Sequence, residues 1–139
     1  MNRFFSSSSL WRDNGVALVR ILVGCFLIYH GWEIFSAAKM NEYLQWDMFK
    51  NPSSGKAMVY AGKAAELLAG ILFFIGLFTR IAAILTIGTL GYIAFFVGHG
   101  KIWYEDQYPF LFVLLALVFF FTGPGNLSFD QYLSRKKNI

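Results

Sequence analysis

Ile81-Ala82-Ala83-Ile84-Leu85-Thr86-Ile87-Gly88-Thr89-Leu90-Gly91-Tyr92-Ile93-Ala94-Phe95-Phe96-Val97-Gly98 runs without a single charged residue. As a helix it would extend about 27 Å, close to the thickness of a bilayer's hydrocarbon core. In water, a helix apolar on every side has to be covered on every side. The rest of this 139-residue chain has little polar material for such a cover: 57% of residues are hydrophobic, 14% are charged and 16 are Phe. The run therefore reads as a membrane span.

Working outward, three more spans are expected, at residues 15–35, 59–78 and 106–122, beside the third at 81–98. The last takes its start from the aromatic stretch Trp103 to Gln107. Leu77-Phe78-Thr79-Arg80 leaves room only for a tight turn, so the second and third spans must be antiparallel neighbours. The expected fold is all-α: one domain over 1–139, an integral membrane antiparallel four-helix bundle, with 123–139 as a cytoplasmic tail. The long connection after the first span carries Met40, Tyr43, Leu44 and Met48 at helical spacing. That spacing suits a short amphipathic helix on the membrane surface, and a loose hydrophobic loop fits it as well. Beyond the fourth span, Gly123-Pro124-Gly125 stops the helix, and Ser128-Phe129-Asp130-Gln131 has the form of a capping box opening a final short helix.

Charge sets the orientation. Four spans put both tails and the Arg80 turn on one side, with Arg3, Arg12, Arg20, Arg80, Arg135, Lys136 and Lys137; the other side has Lys39, Lys50, Lys56, Lys63 and Lys101. The more basic side is expected in the cytoplasm. The net charge of +4 has no stripe of basic and exposed aromatic residues behind it, so nucleic acid is not an expected partner. The single cysteine, Cys25, excludes an internal disulfide and reads as a small apolar packing residue. The first run is too long for a signal peptide, carries Arg20 and lacks a cleavage site, so it is expected to be retained.

Ionisable groups within spans need partners or water, so each one calls for a reason. Near the end of the first span stand His30 and Glu33, and near the start of the second Lys63 and Glu66, each pair spaced i, i+3 on one helical face. His99 closes the third span at the same level. If the helices bundle, these five can meet in one polar pocket. Two readings stand side by side. Ion pairs would lock two helices, although such contacts average only about 0.6 kcal/mol. Alternatively, the five form a site for a ligand with a polar head and apolar body, such as a quinone, with Phe73, Phe74, Tyr92, Phe95 and Phe96 as its wall. A His beside a Glu can trade protons with such a head. His30 and His99 lack further ligands for a haem or a metal, and neither is expected. At the opposite end, Arg20 or Arg80 paired with Asp130 would fasten the C-terminal segment. Glycines and alanines of the second and third spans, Gly62, Gly70 and Gly88 among them, are expected where helices approach closely.

Arg20 with Gly24, His30-Gly31-Trp32, Glu66-Leu67-Leu68-Ala69-Gly70, Gly76-Leu77-Phe78-Thr79-Arg80-Ile81-Ala82-Ala83 and Gly123-Pro124-Gly125-Asn126-Leu127-Ser128-Phe129-Asp130 follow in that order. This set resembles the DoxX family of small bacterial four-span membrane proteins, over nearly the whole chain. The resemblance implies a multi-pass protein of the bacterial cytoplasmic (inner) membrane and a subunit of a quinone-linked redox system. Under it His30 and Glu66 handle protons, Glu33, Lys63 and His99 shape the pocket, and Arg20, Arg80 and Asp130 hold the other end. It leaves open whether the chain itself catalyses. A non-catalytic assembly or anchoring subunit of a larger membrane complex, a homo-oligomer, and a small-molecule or lipid binding protein remain alternatives.

Overall fold

The computed structural model describes residues 6–137, and among them every regular element is helical. Arg3, counted above with the basic side, lies outside the described residues. Helix α1 is Arg12–Gly31 and tightens into a 3-10 turn, Trp32–Phe35. Helix α2 is Ala37–Leu44, followed by a short 3-10 turn, Asp47–Phe49. Helix α3 is Gly55–Ile75, α4 is Thr79–Tyr92 with a π-helical extension Ile93–Val97, α5 is Gln107–Thr122 and α6 is Phe129–Lys137. Arg12–Phe35, Gly55–Ile75 and Thr79–Val97 are long and apolar enough to cross a membrane. Helix α5 is strongly apolar but has 16 residues, just under the roughly 17–25 that a crossing takes.

The outward faces of these helices are as apolar as their interior. Leu22, Phe26, Leu68, Ile81, Ile84 and Phe96 are all half exposed or more. In water that would be one large apolar patch; against acyl chains it is ordinary surface.

Helices α1 and α3 make the most extensive contact, α4 packs on α5 and on α3, and α1 meets α5 only lightly. The α1–α3 contact is made backbone to backbone. A Cβ on Gly24 would stand 2.7 Å from the Phe74 nitrogen, and one on Gly70 would stand 2.6 Å from the Ile28 nitrogen. Glycine is a packing requirement at both positions. Leu27, Phe73, Leu90, Ala116 and Phe119 fill the space between helices, with the Phe73 and Phe119 rings edge to face at 5.2 Å. Gly62 and Gly88 depart from the expectation drawn from their size: a Cβ on either would meet nothing within 4 Å. They border an open cavity instead of a neighbouring helix.

At the tail end, where α1 begins and the α3–α4 turn meets residues 123–130, Arg20 is completely enclosed. Its Nε donates to the Pro124 carbonyl at 2.8 Å, one terminal nitrogen to the carbonyls of Phe73 and Phe74, and the other to Leu127 at 2.9 Å and Asn126 at 3.4 Å. The expected Arg–Asp130 fork is not formed. The two Asp130 oxygens accept the N–H groups of Phe78 (2.7 Å) and Thr79 (2.9 Å), and the Arg80 Nε donates to the Phe120 carbonyl at 3.2 Å. The physical reason is a matter of unpaired backbone. The last turn of α3 and the 124–127 loop leave carbonyls without partners, which a five-donor guanidinium satisfies, while the first N–H groups of α4 need an acceptor. Asp130 also holds Phe78 in the left-handed conformation (φ 48°), which a bulky residue otherwise avoids. The turn itself is Gly76-Leu77-Phe78, with Thr79 and Arg80 already inside α4. Of the expected capping box one half forms: Ser128 accepts the Gln131 N–H at 3.2 Å at the start of α6, while the Gln131 side-chain amide donates to Asn126 Oδ1 at 3.2 Å.

Candidate functional site

At the opposite end Lys63 is the centre of a second buried cation site. Its ammonium lies 2.9 Å from Glu33 Oε2 and 3.0 Å from Glu66 Oε2. It also donates to the His30 carbonyl at 3.3 Å and sits 4.8 Å from the centre of the Tyr43 ring. The three side chains are largely enclosed: Lys63 is 12% exposed, Glu33 21% and Glu66 5%. The Tyr43 hydroxyl donates to Glu33 Oε2 at 2.6 Å. An ammonium has three N–H bonds, and three oxygens meet it here. Leaving His30 aside, two carboxylates share one cation, so the cluster carries a formal charge of −1.

Local structure places each member. Glu33 sits in the 3-10 turn that ends α1, beside Lys63 and Glu66 on one face of α3. Ser36 opens α2 by accepting the Lys39 N–H at 3.4 Å, and Met40, only 1% exposed, seats that helix on the body of the protein. Tyr43, one turn further on, thereby reaches the cluster. Burial first, and then the bond to Glu33, push its phenol above the ordinary value of 10.0, so it acts here as a proton donor in hydrogen bonding.

Beside the cluster lies a cavity of about 680 Å³. His30, Lys63 and Glu66 form its charged end; Leu27, Val59, Leu85, Ile93 and Phe112 are among its apolar walls, with Gly62 and Gly88 bordering it. A concave, mostly apolar space with a few converging polar groups is the usual form of a small-molecule site. The π-helical widening of α4 falls on this wall, since Ile93 and Val97 belong to both. Glu33 borders a separate concavity of about 660 Å³ with Cys25, Tyr29 and Lys39.

Four of the five residues singled out from the sequence are thus brought together, His30 by its backbone carbonyl and as a wall of the cavity. His99 stands apart. Helix α4 gives way to the π-turn and ends, leaving His99 exposed in the following loop, where its N–H donates to Asp106 Oδ2 at 3.0 Å. The same oxygen accepts the Lys101 N–H at 2.9 Å, so Asp106 organises that loop. Of the expected aromatic wall only Tyr92 borders the cavity, whereas Phe73 lies in the core and Phe74 by the second concavity. Tyr43 and Trp46 were not anticipated there. The available signal was a Tyr amid the apolar positions of the connecting segment, since a buried phenol must find a partner.

The family model described as DoxX matches residues 15–99 of the chain. An uncharacterized protein of Haemophilus influenzae is 29% identical over 133 residues, covering 91% of this chain and 96% of that protein. A Bacillus subtilis protein named "Putative oxidoreductase CatD" is 29% identical over 126 residues, covering 89% of this chain and 91% of that protein. No solved structure matches.

Proposed function

The chain belongs to the DoxX family of membrane proteins, and from that premise we propose that it is a subunit of a quinone-linked redox system that holds a quinone-type head group at the Lys63 cluster. The observation that carries this reading is the position of the buried Glu33–Lys63–Glu66 cluster at one end of an apolar cavity. A lock between two helices needs no such space beside it. The ligand's ring and tail lie along the apolar walls, and its head meets Glu66 and His30, which exchange protons with it. Glu33 and Lys63 fix the position of Glu66. The word oxidoreductase in the name of the Bacillus relative is consistent with this role.

In the proposed arrangement α1, α3, α4 and α5 form an antiparallel four-helix bundle in a bacterial inner membrane. Trp103 and Tyr104, each 80% exposed, supply the interfacial flank that lengthens the short α5. Both termini face the cytoplasm on the basic-residue count. Helix α2 then lies at the outer surface, over the cavity.

Native mass spectrometry of the detergent-extracted full-length protein tests the reading. The expected result is a bound species of quinone mass near one per chain, lost in Gly88→Phe, where a side chain enters the cavity from open space. A wild-type protein without such a species, or one that keeps it in Gly88→Phe, contradicts the assignment. If quinone binds but His30→Ala and Glu66→Gln leave cell respiration unchanged, the redox role fails and a binding or assembly role replaces it.

A further inference from the structure

Helix α6 is attached to the protein by the wrong side for a helix surrounded by water. Phe129, Tyr132 and Leu133 stand at i, i+3 and i+4, on one stripe, and are 55%, 63% and 48% exposed. The polar residues beside them make the attachment. Asp130 accepts the Phe78 and Thr79 N–H groups and gives its own N–H to the Gly76 carbonyl at 3.0 Å. The Gln131 side chain donates to Asn126 Oδ1. A surface helix in water turns its apolar stripe to the core and its polar face outward. In α6 the order is reversed, and none of its described residues is buried. Lys136 continues the apolar stripe by one turn, and Arg135 and Lys137 flank it. None of these three cations has an acidic partner among the described residues.

We propose that α6 is an interfacial helix and not a free tail: its apolar stripe enters the membrane surface, and Arg135, Lys136 and Lys137 bind the head groups of anionic phospholipid. The cover such a stripe needs is apolar, with negative charge at its edge. An anionic leaflet has both, its acyl chains lying just beneath its phosphates. A second copy of the chain laid face to face would set three cations against three, which like charge opposes. The tie from Asp130 to the first N–H groups of α4 already fixes α6 at the end of that span, so little ordering is left for the lipid to do. This surface lies at the opposite end from the Lys63 cavity and does not depend on what the cavity holds.

A nitroxide on Leu133→Cys, in a Cys25→Ser background with one full-length chain per nanodisc, reads the surroundings of the stripe. Discs of phosphatidylcholine alone are compared with discs that also contain phosphatidylglycerol. Oxygen, which concentrates among acyl chains, and a water-soluble nickel chelate serve as collision probes. In the anionic discs oxygen access should exceed nickel access, and in phosphatidylcholine alone the balance should move toward nickel. Each Lys or Arg near an anionic surface is worth about fivefold in binding. The ratio of lipid-contacting to aqueous label should therefore fall roughly tenfold or more in Lys136→Gln/Lys137→Gln, and high salt should lower it in the unsubstituted helix as well. Equal lipid contact in both discs, indifferent to salt and to the two substitutions, would overturn the anionic preference. Nickel access exceeding oxygen access in both discs would contradict the interfacial placement itself. A label shielded from both reagents would mean that protein covers the stripe, and the lipid assignment would fail in favour of a partner chain.

Discussion

Arg20 and Lys63 are both cations enclosed within apolar helices, and they are satisfied in opposite ways. Arg20 is surrounded by backbone carbonyls of Phe73, Phe74, Pro124, Asn126 and Leu127. Lys63 is held by two carboxylates, a carbonyl and the face of a Tyr. Glycine is compulsory beside Arg20, where a Cβ on Gly76 would meet its guanidinium and Ser128. Beside Lys63, Gly62 faces open space. A cation that ties together loose backbone serves the fold. A cluster with surplus negative charge, next to an unfilled apolar space, has capacity for something the chain does not supply. The two ends should therefore respond differently to substitution.

The largest effect is expected at the tail end. Arg20→Gln leaves several enclosed carbonyls unpaired and should cost roughly 3 kcal/mol or more in unfolding free energy, read from denaturant titration in detergent micelles. Arg20→Lys should not restore it, because three donors on a point charge cannot span the carbonyls a planar fork reaches. Full stability in either variant would remove the distinction between the two cations. The glycines sharpen it next. Gly70→Ala should lose about 1–3 kcal/mol by pushing α1 and α3 apart, whereas Gly88→Ala should be neutral or gain up to about 1 kcal/mol from helix propensity. Equal losses at both would mean that the cavity is closed in the membrane. Asp130→Asn, which weakens the acceptor at the start of α4, should cost about 1–2 kcal/mol without altering ligand binding.

At the Lys63 end, Glu66→Gln should change stability by only about 0.6 kcal/mol, the average for a polar contact between membrane helices, while it weakens ligand binding at the cavity. A large stability loss with binding unchanged would turn the cluster into a second structural knot. The smallest effect is a pH dependence outside the spans. The Tyr43 phenol, raised by burial and then by Glu33, contributes in full below its ordinary value of 10.0. As pH rises past that value the unfolded chain ionises first, and the contribution is lost on approaching the raised folded value. The wild type minus Tyr43→Phe difference in melting temperature should accordingly shrink in alkali; a difference that stays constant would place Tyr43 away from Glu33.

The helices and the pairing of His30–Glu33 with Lys63–Glu66 were legible in the sequence because both depend on local spacing: unbroken apolar runs in one case, i, i+3 neighbours on one face in the other. The partners of Arg20 were not. They are carbonyls, which every residue carries, and only the path of the chain after Gly123 decides which of them come near. Asp130 looked like a counter-ion because charge is visible in a sequence and an unpaired N–H at a helix start is not. His99 was placed by counting along a regular helix, and the π-turn at Ile93–Val97 broke that count. Gly62, Gly70 and Gly88 are the same residue to a reader of the sequence. Only packing separates the one that lets helices touch from the two that border a void.

Photolabelling with an azidoquinone in native membranes, mapped by peptide mass spectrometry, tests most directly whether the Lys63 end receives a ligand. Label should concentrate on the segments of α3 and α4 around Glu66 and Thr89, fall away in Gly88→Phe, and leave the peptides around Arg20 unmarked. Label spread evenly over the lipid-facing surfaces, and unaffected by Gly88→Phe, would contradict it.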